Sequence, residues 1–98
     1  MRRVGGTKAS GPGLEDIFFS RPATRILLHL IRVEMDSESN LIRVARTNHR
    51  GFHRNISVLM GYGIVLEKRF GRIRLYMMNK DSPYYYKLKK IHSIWYFE

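Results

Sequence analysis

The chain contains no cysteine, which excludes disulfides and thiolate metal sites and leaves the fold to its core alone. Acids are scarce, with 8 Asp and Glu against 18 Lys and Arg for a formal charge of +10. A field of that sign favours polyanions as partners. No apolar run approaches the roughly 18 residues needed to span a bilayer, and the first residues lack the apolar middle of a signal peptide. A soluble, cytoplasmic protein without membrane partners is therefore expected. Catalytic constellations are missing as well: there is no Ser-His-Asp spacing, no phosphate loop and no pair of carboxylates suited to acid and base work. An enzyme is the least supported class, and no cofactor is expected.

What is present suits one domain. In 98 residues, 44% are apolar, with five Phe, six Tyr and one Trp, enough to offset the entropy cost of ordering that a charged disordered tail could not meet. The charge is unevenly placed. From Asn40 to Lys80 nine basic residues face a single acid, Glu67, so that stretch carries +8 of the +10.

Residues 1–13 hold four Gly, one Pro and the basic residues Arg2, Arg3 and Lys8, and are expected to form a flexible basic arm outside a domain covering 14–98. Within that domain, Leu14, Ile17 and Phe18, then Ile26, Leu27, Leu30 and Ile31, recur at helical spacing. Ser20 ahead of Pro22 marks a helix start, which predicts a first main helix over about residues 21–35. Met35 to Ser39 is acidic and polar and reads as a loop. Ser39 or Asn40 would cap a short second helix carrying Leu41, Val44 and Ala45. Asn48 tolerates left-handed backbone angles, making Thr47-Asn48-His49 a tight turn. A third helix near residues 50–62 puts Phe52, Ile56, Leu59 and Met60 on one side and Arg50, His53, Arg54 and Ser57 on the other, and Gly61 and Gly63 mark its end.

Beyond Gly63 the period turns extended. Ile64 to Arg69 and Arg72 to Met78 flank Phe70-Gly71, which predicts a hairpin, with Ile73, Leu75 and Met77 on one face of its second strand and Arg72, Arg74 and Tyr76 on the other. After the Asp81-Ser82-Pro83 break, Tyr84, Leu88, Ile91 and Trp95 fall four, three and four apart, the pattern of a closing amphipathic helix over 84–97.

Two segments carry a family likeness. Ser20-Arg21-Pro22-Ala23-Thr24-Arg25-Ile26-Leu27-Leu28-His29-Leu30 is similar to the first helix of the winged helix-turn-helix DNA-binding proteins. Ile56-x-x-Leu59-x-x-x-Gly63-Ile64-Val65 resembles their passage from recognition helix to wing. Over about residues 20–80 the chain looks most like small archaeal, plasmid and viral transcription regulators and the broad bacterial regulator families that share this module; Gly51 and Gly61-Tyr62 depart from the usual pattern. The resemblance implies an α+β, mostly α fold: a three-helix core, a two-stranded hairpin wing and a C-terminal helix. It also implies that the third helix enters the major groove while the wing lies on neighbouring backbone or minor groove.

The residues give their own reasons for those roles. A reading helix needs an apolar anchor on one side and long donors on the other, and the Arg fork matches O6 and N7 of guanine. Arg50 or Arg54 is thus the candidate base reader, with His53, Asn55 and Ser57 secondary, while Arg43 and Arg46 of the second helix would hold phosphate. In the wing, Lys68, Arg69, Arg72 and Arg74 crowd together without an acid among them, a repulsion that a polyanion would relieve. Tyr84, Leu88, Ile91 and Trp95, with the aromatic end Trp95-Tyr96-Phe97, exceed what so small a core needs and point to a homodimer interface. His49 and His53 stand four apart, but no carboxylate or cysteine accompanies them and the third helix only begins there, so DNA contact or solvent exposure is expected rather than a metal.

The reading favoured is a sequence-specific duplex-DNA-binding transcription regulator acting as a homodimer and associated with the nucleoid. A plasmid partition or architectural protein that spreads along DNA uses the same module. An adaptor in which the fold binds a protein partner is the alternative from another class.

Overall fold

The structure, a computed structural model, describes residues 11–97. Most of the arm expected over 1–13 therefore lies outside the described residues; of its end, Gly11 lies so near the Tyr84 hydroxyl that a Cβ would not fit. The described chain is a mostly helical α+β arrangement with one three-stranded antiparallel sheet.

After a single turn, α1 (Leu14–Ile17), comes the main helix α2 (Arg21–Val33). As read from sequence, Ser20 caps it: its hydroxyl accepts from the Ala23 amide at 3.1 Å, with Pro22 in the first turn. Ala23, Ile26, Leu27, Leu30 and Ile31 form its buried stripe. The helix ends two residues short of the expected limit because Glu34 takes a positive φ of 75°. A non-glycine residue there costs of order 1–3 kcal/mol, and Glu34 is held by outside partners: the Tyr85 hydroxyl donates to its carboxylate at 3.0 Å and Lys89 Nζ at 2.6 Å. Burial raises that carboxyl, but Lys89 and Tyr85 outweigh it and keep the group below the ordinary Glu range.

The segment read as a polar loop contains instead a strand, β1 (Met35–Ser37). It is too short to show alternation, and it exists because β3 offers it an edge. Helix α3 (Glu38–Ala45) is capped by Ser37, which accepts from the Asn40 amide at 3.2 Å, rather than by Ser39 or Asn40. The left-handed residue that turns the chain is Arg46, at φ 56° and ψ 48°, and not Asn48. Asn48 is extended and caps α4 (His49–Gly61), its Oδ1 accepting from the Gly51 amide at 2.8 Å. A Cβ at Gly51 would run into Thr47 Oγ1 and force that side chain to move. Phe52, Ile56 and Leu59 seat the helix in the core, and Gly63, at φ 75°, releases the chain into the sheet.

Strands β2 (Val65–Phe70) and β3 (Ile73–Met78) form the expected hairpin, turned at Gly71 with φ 61°. The sheet order is β1-β3-β2, three strands rather than the two expected. Residues directly opposite in an antiparallel pair share a face, and the register pairs Val65 with Met78, Glu67 with Tyr76 and Arg69 with Arg74. That face turns inward, because Val65, Tyr76 and Met78 are buried. Ile73, Leu75 and Met77 share the outer face with Leu66, Phe70 and Met35, and most of these are exposed. Of the alternation Arg72, Arg74 and Tyr76, only Tyr76 is buried; Arg74 is half-buried beside it and Arg72, ahead of the strand, is exposed.

Helix α5 (Tyr85–Phe97) closes the chain against α2. Its inward side is Tyr85, Leu88 and His92, one step round from the stripe read from sequence. No helix among the described residues is long and apolar enough to cross a membrane.

Candidate nucleic-acid interface

Helix α4 has two chemically distinct sides. Phe52, Asn55, Ile56 and Leu59 are buried, whereas Arg50, Arg54 and Ser57 are exposed at steps of four and three. One helix therefore anchors two guanidinium groups on a seat that does not move with them. The Ser57 hydroxyl donates to the His53 carbonyl at 2.6 Å, leaving its oxygen to accept.

Asn55 is a correction. It is 8% exposed, takes a hydrogen bond from Ser20 Oγ and donates through Nδ2 to the Gly51 carbonyl at 2.7 Å. It pins α4 to the start of α2 and cannot reach a base edge. His53 is half-buried, with Nε2 3.1 Å from Glu38 Oε2, so it faces α3 rather than solvent.

Arg43 and Arg46 are exposed on and just after α3, and Arg43 Nη1 donates to Asn40 Oδ1 at 3.1 Å. In the hairpin, Lys68, Arg69 and Arg72 are exposed, but Arg74 is not a free wing cation. Its guanidinium lies 3.8 Å from Glu38 Oε1 and 3.7 Å from Glu67 Oε2. Arg69 stands directly across from Arg74, and the repulsion expected of that pair is offset by Glu67, which also lies 3.4 Å from Arg69 Nε. Lys68 points to the opposite, outer face beside Phe70, with Nζ 5.9 Å from the ring centroid.

The residue that sequence reasoning missed is Glu38. It opens α3 where that helix meets α4 and β3, and its side chain is only 13% exposed. Oε1 accepts from the Tyr76 hydroxyl at 3.1 Å, while Oε2 lies 3.3 Å from His49 Nε2 and 3.1 Å from His53 Nε2. Burial, together with the Glu38 carboxylate against it, pushes the Tyr76 phenol up to about 12, so it remains a donor. The two histidines, alone in sequence, thus gain a carboxylate from tertiary structure. Their spacing of four was the available signal; the partner lay eleven residues before His49 in another helix.

The chain matches no family model and no curated protein.

Of the residues assigned to a dimer, Leu88 is buried against the chain's own core and Tyr84 is partly buried on it. Ile91 and Trp95 are exposed, as are Ile94, Tyr96 and Phe97. Between α2 and α5 runs an almost wholly apolar groove of about 410 Å³, bordered by Phe18, Leu28, Ile31 and Trp95.

Proposed function

We propose that the protein binds duplex DNA in a sequence-specific manner as a transcription regulator of the winged helix-turn-helix kind, acting as a homodimer. The observation that carries this reading is α4: Arg50 and Arg54 are exposed on its solvent side while Phe52, Ile56 and Leu59 lock the other side into the core. The order helix, strand, helix, helix, hairpin supports it, since such an order sets one helix forward beside a basic hairpin. In this reading Arg50 and Arg54 read base edges, and Arg43, Arg46, Lys68, Arg69 and Arg72 take phosphate.

The test replaces each arginine separately. Arg50→Ala and Arg54→Ala are each expected to cost about 1–3 kcal/mol in binding to a duplex selected from a random pool. Both positions are exposed, so circular dichroism and melting temperature should stay at the wild-type values. Unchanged duplex affinity in both variants would sink the reading and leave the protein adaptor in its place.

The dimer surface in this reading is α5. Trp95 is 79% and Phe97 78% exposed, and Ile91 and Ile94 of the same helix are exposed as well, apolar surface of the kind that marks an interaction site. A two-fold pairing of α5 with its copy covers that surface on both chains at once. Carrying Ile94→Asp and Trp95→Asp together, the protein should sediment as a monomer where the wild type sediments as a dimer. A wild-type mass of one chain at micromolar concentration would remove the dimer.

A further inference from the structure

We propose that Glu38, His49 and His53 form a binding site for one zinc-class divalent cation per chain, with a fourth position open to solvent. The three candidate ligand atoms lie within 4.8 Å of one another. His49 and His53 project from the first two turns of α4, their rings 4.8 Å apart, and Glu38 is delivered by the start of α3.

The geometry is that of a ligand set before the ion. In a tetrahedral zinc site with bonds of about 2.0–2.1 Å, neighbouring ligand atoms sit about 3.3 Å apart. The two imidazole Nε2 atoms stand 3.3 and 3.1 Å from Glu38 Oε2. All three ligand atoms lie within 4.8 Å of one another, so the two carboxylate–imidazole edges already match and the imidazoles need only draw together to hold a cation.

The surroundings orient the carboxylate for single-oxygen ligation. Oε1 is taken by the Tyr76 hydroxyl at 3.1 Å and faces Arg74 at 3.8 Å, which leaves Oε2 for the histidines. An outer partner on the second oxygen is the usual way a ligating carboxylate is fixed. The side chain of His49 is 72% exposed, so the remaining position faces an open cleft bordered by Ser37, Ser39 and Arg72. Two imidazoles and one carboxylate suit Zn(II), Co(II) or Ni(II), whereas Mg(II) and Ca(II) require oxygen ligands throughout.

A cation there ties α3 to α4, the two helices whose relative placement sets the exposed arginines. The site does not depend on the duplex reading, because its ligands are complete without DNA. Arg74 and the charge of +10 oppose a dication, so the affinity expected is micromolar, well short of a closed structural zinc site.

The experiment titrates the metal-free full chain with Co(II) and with Zn(II), followed by visible absorption and calorimetry. Expected are one ion per chain, the intense visible band of tetrahedral Co(II), and a melting temperature that rises with free metal. His49→Ala, at an exposed position that leaves the fold intact, should weaken binding at least about tenfold, and Glu38→Gln should do the same. Dissociation constants in the millimolar range for the wild type, or equal affinity in His49→Ala, would overturn the site and leave the three side chains as an ion-paired contact between helices.

Discussion

Between about 50 and about 200 mM monovalent salt, the affinity of the protein for its duplex should fall roughly 10³- to 10⁵-fold. The size follows from which cations are free. Arg43, Arg46, Lys68, Arg69 and Arg72 are exposed, and among the described residues Arg69 alone of them has a carboxylate near, Glu67. Two chains thus offer about six to ten phosphate contacts, and each releases a condensed counterion, for a slope of about −0.9 per contact in log affinity against log salt. Arg74 adds little, because Glu38 and Glu67 already hold it. Fluorescence anisotropy with a labelled duplex at four or five salt concentrations measures the slope. A flat line would show that binding, if any, is not made on the backbone, and would remove the proposed interface.

Phe52→Ala should lower stability by about 3–5 kcal/mol. Phe52 is wholly buried on the inner side of α4, and its ring meets Tyr76 of β3 edge to face at 5.2 Å. Deleting it opens a void between helix and sheet where neither side can collapse, because Tyr76 is also tied to Glu38. The whole stability of a domain this size is about 5–15 kcal/mol, and each kcal/mol moves the midpoint by about 4–8 °C. A fall of some tens of degrees on thermal unfolding is expected, or loss of folding altogether. Phe52→Leu, which fills most of the space, should cost much less. A shift of only about 2 °C for Phe52→Ala would mean that α4 is not seated as described, and the placement of Arg50 and Arg54 would go with it.

Several elements could be read before any fold was known because their causes are local. Ser20 and Pro22 start α2, the stripe from Ile26 to Ile31 buries it, and Gly71 turns the hairpin. The exposure of Arg50 and Arg54 follows from the same helical period that buries Phe52, Ile56 and Leu59. Asn55 departs from the rule that polar residues face outward because the Gly51 carbonyl, one turn back, accepts from its Nδ2 and Ser20, 35 residues earlier, donates to its oxygen inside.

The helices, the hairpin and the two-sided character of α4 follow from spacing within a dozen residues, and the concentration of positive charge follows from residue type alone over 40–80. Tertiary structure alone decided that Met35–Ser37 is a strand, that Arg74 and Tyr76 face inward while Ile73 faces out, and that Glu38 meets His49 and His53. Those outcomes depend on which surface arrives opposite a given side chain. A three-residue segment has no period of its own, an alternating strand is symmetric until one face is covered, and a carboxylate finds its partners only when two helices cross.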